Sequence, residues 1–309
     1  MFVVCGEALM DVYVRDASAT GLSLDARIGG SPFNVAVGLA RLGRSAALLA
    51  GISGDAAGER LMQALVAEGV DTRLAVRSDA PTTLSVVSVD AAGVPRYTFY
   101  GHGTADRAID GNTLPPLPPE VRVLQFGSYA LVVEPVGSAL RELAARESGR
   151  RLVAYDPNVR LNVEPDIARW RSTVEAMAAL AHIVKVSDED LGLLYPGAAP
   201  SQVAQRWLSA GARLVVVTRG VKGCDAWTPA HHVAEPASPI EVVDTVGAGD
   251  TFQAALLTWL DEQALLDLAG LDALDPPRLS AMLRFAARAA AITCSRRGAD
   301  MPRRGELPA

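Results

Sequence analysis

Nine consecutive residues in the last third of the chain, Asp244-Thr245-Val246-Gly247-Ala248-Gly249-Asp250-Thr251-Phe252, combine two carboxylates with a Gly-Ala-Gly turn. They follow a β-like run, Ile240-Glu241-Val242-Val243, and lead into an apolar helical pattern, FQAALLTWL. A glycine turn that opens a helix aims several unpaired backbone N–H groups at one point. The helix dipole adds positive potential there, which suits an anion such as phosphate. The glycines leave room for its close approach. Asp250 projects into the same spot; by itself it reads as an ordinary helix N-cap, and Asp244 as a turn residue. The whole string is far more specific than either aspartate. No Gly-Lys-Ser/Thr occurs, which excludes a P-loop, and no Gly-x-Gly-x-x-Gly follows the first apolar run. A phosphate would therefore rest on the amides of residues 247–249, without a P-loop lysine.

Positioning such a turn takes a scaffold, and the chain supplies an alternating one. Apolar strand patterns fall at 2–5, 46–50, 121–126, 151–155, 182–186 and 213–218. Helical patterns at 33–42, 57–68, 136–148, 167–181 and 200–210 lie between them. This alternation predicts an α/β fold with a mainly parallel sheet and helices on both faces. Residues 9–28 and 82–100 break the rhythm: they alternate apolar and polar side chains with no helix between, the mark of half-exposed antiparallel strands. They read as a small sheet projecting from the main body as a lid. Residues 111–119 (GNTLPPLPP) form a connector back to the core. Residues 250–269 and 278–293 read as helices, and the chain is expected to fray beyond about residue 303. The whole chain, 1–309, reads as one domain.

Composition narrows the class. Half of the 309 residues are apolar and 21% are charged, as in a globular protein able to bury a large core. The net charge is −6 with no basic run, which argues against nucleic acid as a partner. Lys185 and Lys222 are the only lysines. Cys5, Cys224 and Cys294 show neither disulfide nor zinc spacing, and His102, His182, His231 and His232 show no ligand spacing. With no secretory leader pattern and no apolar stretch of membrane-spanning length, a cytoplasmic protein is expected.

The string DTVGAGDTF resembles the C-terminal signature of the ribokinase-like, or PfkB, carbohydrate kinases. GGSPFNVAVGLARLG at 29–43 is similar to the family's Gly-Gly-x-x-x-Asn-x-Ala signature. GEALMD (6–11), GISGDAAGERL (51–61), DPNVR (156–160), KVSDED (185–190), TRGVKG (218–223) and TCSRRGADMP (293–302) fall in family order, in phrasing closest to bacterial fructokinases. The resemblance implies a three-layer ribokinase-like sandwich with a β lid. It also implies ATP and Mg²⁺, a sugar substrate and, in several relatives, K⁺.

Carried over residue by residue, it makes Asp250 the base that accepts the proton of a sugar hydroxyl. Gly247, Ala248 and Gly249 become the anion hole for the transferred phosphoryl group. Asp11, expected at the end of the first strand, would bind sugar hydroxyls, with Asn34 beside it; a turn carboxylate and a helix cap are the plainer readings of these two. Gly29 and Gly30 would let the backbone pass close to the sugar. Asn158 and Arg160 would line the same cleft, and Tyr97 and Phe99, alternating with Arg96 on a lid strand, would stack on it or pack the lid. On the nucleotide side, Ser187 and Asp190 stand where the family has Asn-x-x-Glu, a pair that arranges Mg²⁺ through water. Lys185 opens that motif and also reads as a solvated helix-end lysine. Thr218, Gly220 and Gly223 would surround the phosphates and ribose. Asp244, with carbonyls near Gly298, corresponds to a monovalent-cation site, and the lid is the expected homodimer contact.

Ribose-specific relatives carry an acid where this chain has Gly127, which favours fructose. A kinase for 2-keto-3-deoxygluconate is the alternative within the class, with Arg96 or Arg160 as the cationic partner. A sugar- or nucleotide-binding regulator without catalysis is the alternative outside it.

Overall fold

The apolar runs expected to be strands have almost no exposed position, and a strand without an exposed face must sit between two layers. The computed structural model, which describes residues 1–89 and 95–308, places them so. One sheet of eight strands runs in the order β14 (His232–Glu235), β13 (Cys224–Trp227), β12 (Leu214–Thr218), β11 (Ile183–Ser187), β10 (Leu152–Asp156), β9 (Val123–Gly127), β1 (Phe2–Cys5) and β4 (Ala46–Leu49). From β4 to β12 all neighbours are parallel; β13 and β14 turn back antiparallel. Alternate residues of each strand feed two cores. Phe2 and Val4 pack under α1 (Ser31–Arg41), α7 (Ala248–Glu262) and α9 (Pro276–Cys294). Val3 and Cys5 face the opposite core, with α3 (Val136–Glu147), α4 (Ile167–Ala178) and α6 (Pro200–Ala210). Helices α2 (Ala56–Ala67), α5 (Asp188–Leu194) and α8 (Leu268–Asp272), and the short parallel pair β5 (Gly51–Ser53) and β6 (Val76–Ser78), complete the body.

The two alternating stretches form one small sheet, ordered β3 (Leu22–Gly29), β2 (Leu9–Ala17), β7 (Leu84–Val89), β8 (Pro95–Tyr100). Each hairpin is antiparallel, as its alternation predicts, but β2 and β7 pair parallel because both hairpins start in the same direction. The side chains of Arg96 and Tyr97 on β8 lie outside the described residues.

Four local expectations are corrected. The first strand ends at Cys5, so Asp11 lies inside β2 and belongs to the small sheet. The run 240–243 is not a strand: the adjacent sheet edge is closed by β14, and Ile240, Val242 and Val243 stay exposed in a loop. The helix expected over 250–269 stops at Glu262, broken where Ala264 takes φ 55°. The C-terminal residues do not fray. Met301 and Leu307 are buried, Arg304 pairs with Glu262 at 2.7 Å, and Arg303 with Glu68 at 3.1 Å. Among the described residues no helix is long and apolar enough to cross a membrane.

Candidate active site

The glycine turn opens α7 by a conformation that few other residues could hold. Gly247 caps the helix with φ 77°, and a Cβ there would lie 2.5 Å from the Cβ of Ala299 and 2.9 Å from its Cα. The Ala248 N–H turns back to Thr245 O at 3.2 Å, and the Thr251 N–H is bonded to Gly247 O at 2.8 Å. Between them, the N–H groups of Gly249 and Asp250 have no backbone acceptor among the described residues, and both residues line a cleft. A helix of 15 residues stands behind these donors, so its dipole reinforces them.

Asp250 is 8% exposed. Its Oδ1 accepts a hydrogen bond from Ser31 Oγ at 2.6 Å and its Oδ2 one from Asn34 Nδ2 at 2.8 Å. Both donors sit in the first turn of α1, which packs along α7. A carboxylate offers only acceptors, so the Asn34 amide must turn its nitrogen to it, leaving the Asn34 carbonyl free.

The cleft, about 820 Å³, runs between the small sheet and the C-terminal ends of β1 and β9–β12. Its lid end is polar. Asp11 lies there; burial raises its carboxyl, while a hydrogen bond from Ser85 and the charge of Arg160 oppose the rise. Gly29 lies behind it: a Cβ at that position would be 2.2 Å from Asp11 Oδ2. Gly30, Asn158 and Arg160 line the same end. Asn158 has φ 43°, and Arg160 donates to its neighbour's carbonyl, Val159 O, at 2.9 Å. Phe99 reaches it from β8, edge-on to Tyr129 at 5.3 Å.

The other end is built on β11 and β12. Lys185 is not a solvated helix-end residue: it lies inside β11, 4% exposed, because its ammonium pairs with Asp156 Oδ2 at 2.7 Å. A Cβ at Gly249 would lie 3.1 Å from that ammonium, so the cation sits directly beneath the helix turn. Burial pushes the Asp156 carboxyl up to about 6, against the pull of Lys185. Ser187 caps α5, its Oγ accepting from the Asp190 N–H at 3.0 Å. Asp190 Oδ1 accepts from the Val159 N–H at 3.1 Å, and burial raises this carboxyl too. Thr218, Gly220 and Gly223 line the cleft beside them, and beyond these it ends in apolar groups: Val221, Ile240, Val242, Ala287 and Ala290.

Asp244 stands apart from this lining. Its oxygens accept from the Val246 N–H at 3.1 Å and the Gly298 N–H at 2.8 Å, stapling the turn before α7 to the loop after α9. The described residues contain no cluster of three His, Cys, Asp or Glu side chains that could hold a metal.

One cleft thus collects Asp11, Gly30, Asn34, Phe99, Asn158, Arg160, Lys185, Ser187, Asp190, Thr218, Gly220, Gly223 and residues 247–250. Sequence reasoning missed Ser31, Asp156 and Glu7. Ser31 reads as a helix cap inside GGSPFN, and Asp156 as a turn residue in DPN; only the fold reveals their partners.

A family model described as pfkB family carbohydrate kinase matches residues 1–304. A fructokinase of Rhizobium leguminosarum bv. trifolii is 37% identical over 279 residues, 90% of this chain and 85% of that protein. Fructokinase-2 of Solanum lycopersicum is 31% identical over 309 aligned positions, covering 97% and 92%. Among solved structures, a fructokinase with bound ATP from Xylella fastidiosa superposes with a TM-score of 0.87 at 26% identity, covering 99% of this chain and 96% of that one.

Proposed function

The chain belongs to the pfkB family of carbohydrate kinases, and from that premise we propose that it transfers the γ-phosphate of ATP to the 6-hydroxyl of fructose. The observation that carries this reading is the position of Asp250, whose carboxylate lies at the opening of α7 between a polar pocket and a cationic, apolar-ended one. Fructose lies under the small sheet, which acts as a lid. Asp11 and the free carbonyl of Asn34 accept from its hydroxyls, Asn158 and Arg160 donate, and Phe99 covers its apolar side. The adenine of ATP rests against Val221, Ile240, Val242 and the alanines of α9. Its phosphates run past Thr218, Gly220, Gly223 and Lys185 to the N–H groups at residues 247–250.

As the sugar oxygen bonds to the γ-phosphorus, the bond to the β-phosphate oxygen breaks and ADP leaves. The hydroxyl proton passes to Asp250. Ser31 and Asn34 fix the Asp250 carboxylate so that no reorientation is needed at that moment. The α7 amides and the Lys185 ammonium face the charge spread over the moving phosphoryl group.

Mg²⁺ fits this arrangement. Asp188, Glu189 and Asp190 present hard oxygen ligands to the cleft, and Mg²⁺ needs only one or two carboxylates besides phosphates and its own waters. Asp190 would hold it through water, and the ion would neutralise charge on the β- and γ-phosphates. A K⁺ ion at Asp244 would share a carboxylate whose two oxygens each accept one backbone N–H bond and keep further acceptor capacity.

A neutral sugar suits the lid end better than a sugar acid. Arg160 interacts with the carboxyls of Asp11 and Asp190, so its charge is already offset. Steady-state kinetics with fructose, ribose, 2-keto-3-deoxygluconate and adenosine should give fructose the highest kcat/KM, by about tenfold or more. A sugar acid ahead of fructose by the same margin would overturn the choice of substrate and leave the kinase assignment standing.

A further inference from the structure

One titratable group at the lid end has no part in this mechanism. Glu7 follows β1 at the floor of the cleft, 1% exposed, and its Oε2 has no hydrogen-bond partner among the described residues. A buried carboxyl oxygen left without a partner costs stability, so its retention calls for a partner that comes and goes. The surroundings point the same way. Ser128, its hydrogen-bonding neighbour, is held at φ 63°, and Asn158, lining the same end, at φ 43°. Backbone in that region costs energy for residues with a side chain, and such strain gathers at ligand sites.

We propose that Glu7 is a specificity-determining residue of the sugar pocket, its buried carboxyl completing its hydrogen bonds only with a hydroxyl of the bound sugar. This rests on the reading of the cleft as a sugar kinase site. The pocket sets acceptors in Asp11, Asp250 and the Asn34 carbonyl against donors in Asn158 and Arg160, and a sugar's own oxygens can take a further donor from the floor. A neutral carboxylic acid supplies one, because its O–H donates while its other oxygen accepts. Glu7 meets that need: burial above all, with the charge of Asp106, outweighs the pull of Ser128 and Arg160 and leaves its carboxyl raised to about 8. Tyr129 faces the same cluster and gives its own hydrogen bond to Asp106 at 2.8 Å, so it leaves Glu7 free. Below about pH 8 the acid is neutral and binds sugar. Above it, Glu7 loses its proton and becomes a further anion beside Asp106, with no O–H to give.

The test is sugar KM against pH in the wild type, Glu7→Gln and Glu7→Leu. Fructose does not ionise in this range, so the wild-type fructose KM should rise about tenfold between pH 7 and pH 9. Glu7→Gln keeps a donor that cannot titrate and should give a flat profile. Glu7→Leu should raise fructose KM about tenfold or more at pH 7, the loss of one buried hydrogen bond, with the KM for ATP moving less than about twofold. A Glu7→Gln profile that climbs like the wild type, or an unchanged fructose KM in Glu7→Leu, overturns the inference. The Gln profile still decides the matter if the Leu variant does not fold. Wild-type turnover of fructose tests the underlying reading separately, so failure of one is not mistaken for failure of the other.

Discussion

Asp250→Asn is expected to lower kcat at least ~10²-fold, the scale for removing a general base, while the KM for ATP stays within about threefold. The substitution removes the proton acceptor and disturbs the sugar side only through Asn34. Asparagine keeps the shape of the side chain and Ser31 Oγ can still donate to its carbonyl, but Asn34 must turn its amide to present oxygen in place of nitrogen, which takes its carbonyl from the sugar and raises the fructose KM. The N–H groups of the α7 turn are backbone and remain, so ATP still finds its phosphate site. Rapid-mixing or steady-state assays on purified variant separate the two quantities. A variant that turns over within a few-fold of wild type would remove Asp250 from the base role, whatever its position.

A second large effect is expected beneath the turn. Lys185 and Asp156 are 4% and 3% exposed and joined at 2.7 Å. Breaking such a pair from one side leaves an uncompensated charge away from water. Asp156→Ala should therefore destabilise the fold by about 3–5 kcal/mol. Lys185→Met deletes the cation instead, leaving a carboxyl already raised toward about 6 that can take up a proton and become neutral. It should cost less stability and mainly lower kcat, because a charge facing the phosphoryl group is lost. The double variant should recover part of the stability lost in Asp156→Ala, since neither charge then stands alone. Urea midpoints on the four proteins measure this. An Asp156→Ala loss below about 1 kcal/mol would mean that water reaches the pair.

The scaffold was readable from the chain because it depends on local pattern. The runs at β1, β4 and β9–β12 are apolar on both faces, and the small-sheet hairpins alternate, so each declares its layer before anything is known of its neighbours. The Gly-Ala-Gly turn was equally plain, since the conformation it needs is written in its own residues. Other parts depend on what lies across the fold. Asp250 meets Ser31 and Asn34 from 219 and 216 positions away, and Lys185 meets Asp156 across 29. No spacing rule announces those pairs. Lys185 looked like a solvated lysine because its partner sits on the neighbouring strand. The run 240–243 looked like a strand because local pattern cannot tell that β14 occupies the edge it would need. Asp11 was placed at the end of the first strand by its role, although the pattern itself ends that strand at residue 5 and opens the small sheet at residue 9, as the fold does.

The central claim, that this cleft moves phosphate from ATP to the 6-hydroxyl of a neutral sugar, is tested most directly by identifying the product. Purified protein given fructose, ATP and Mg²⁺ should form one ADP for each sugar phosphate. Phosphorus NMR with proton coupling should show a phosphomonoester coupled to the C6 methylene of fructose, and Asp250→Asn should form it at least ~10²-fold more slowly. ADP released without a sugar phosphate, or phosphate found on a different hydroxyl, would contradict the account.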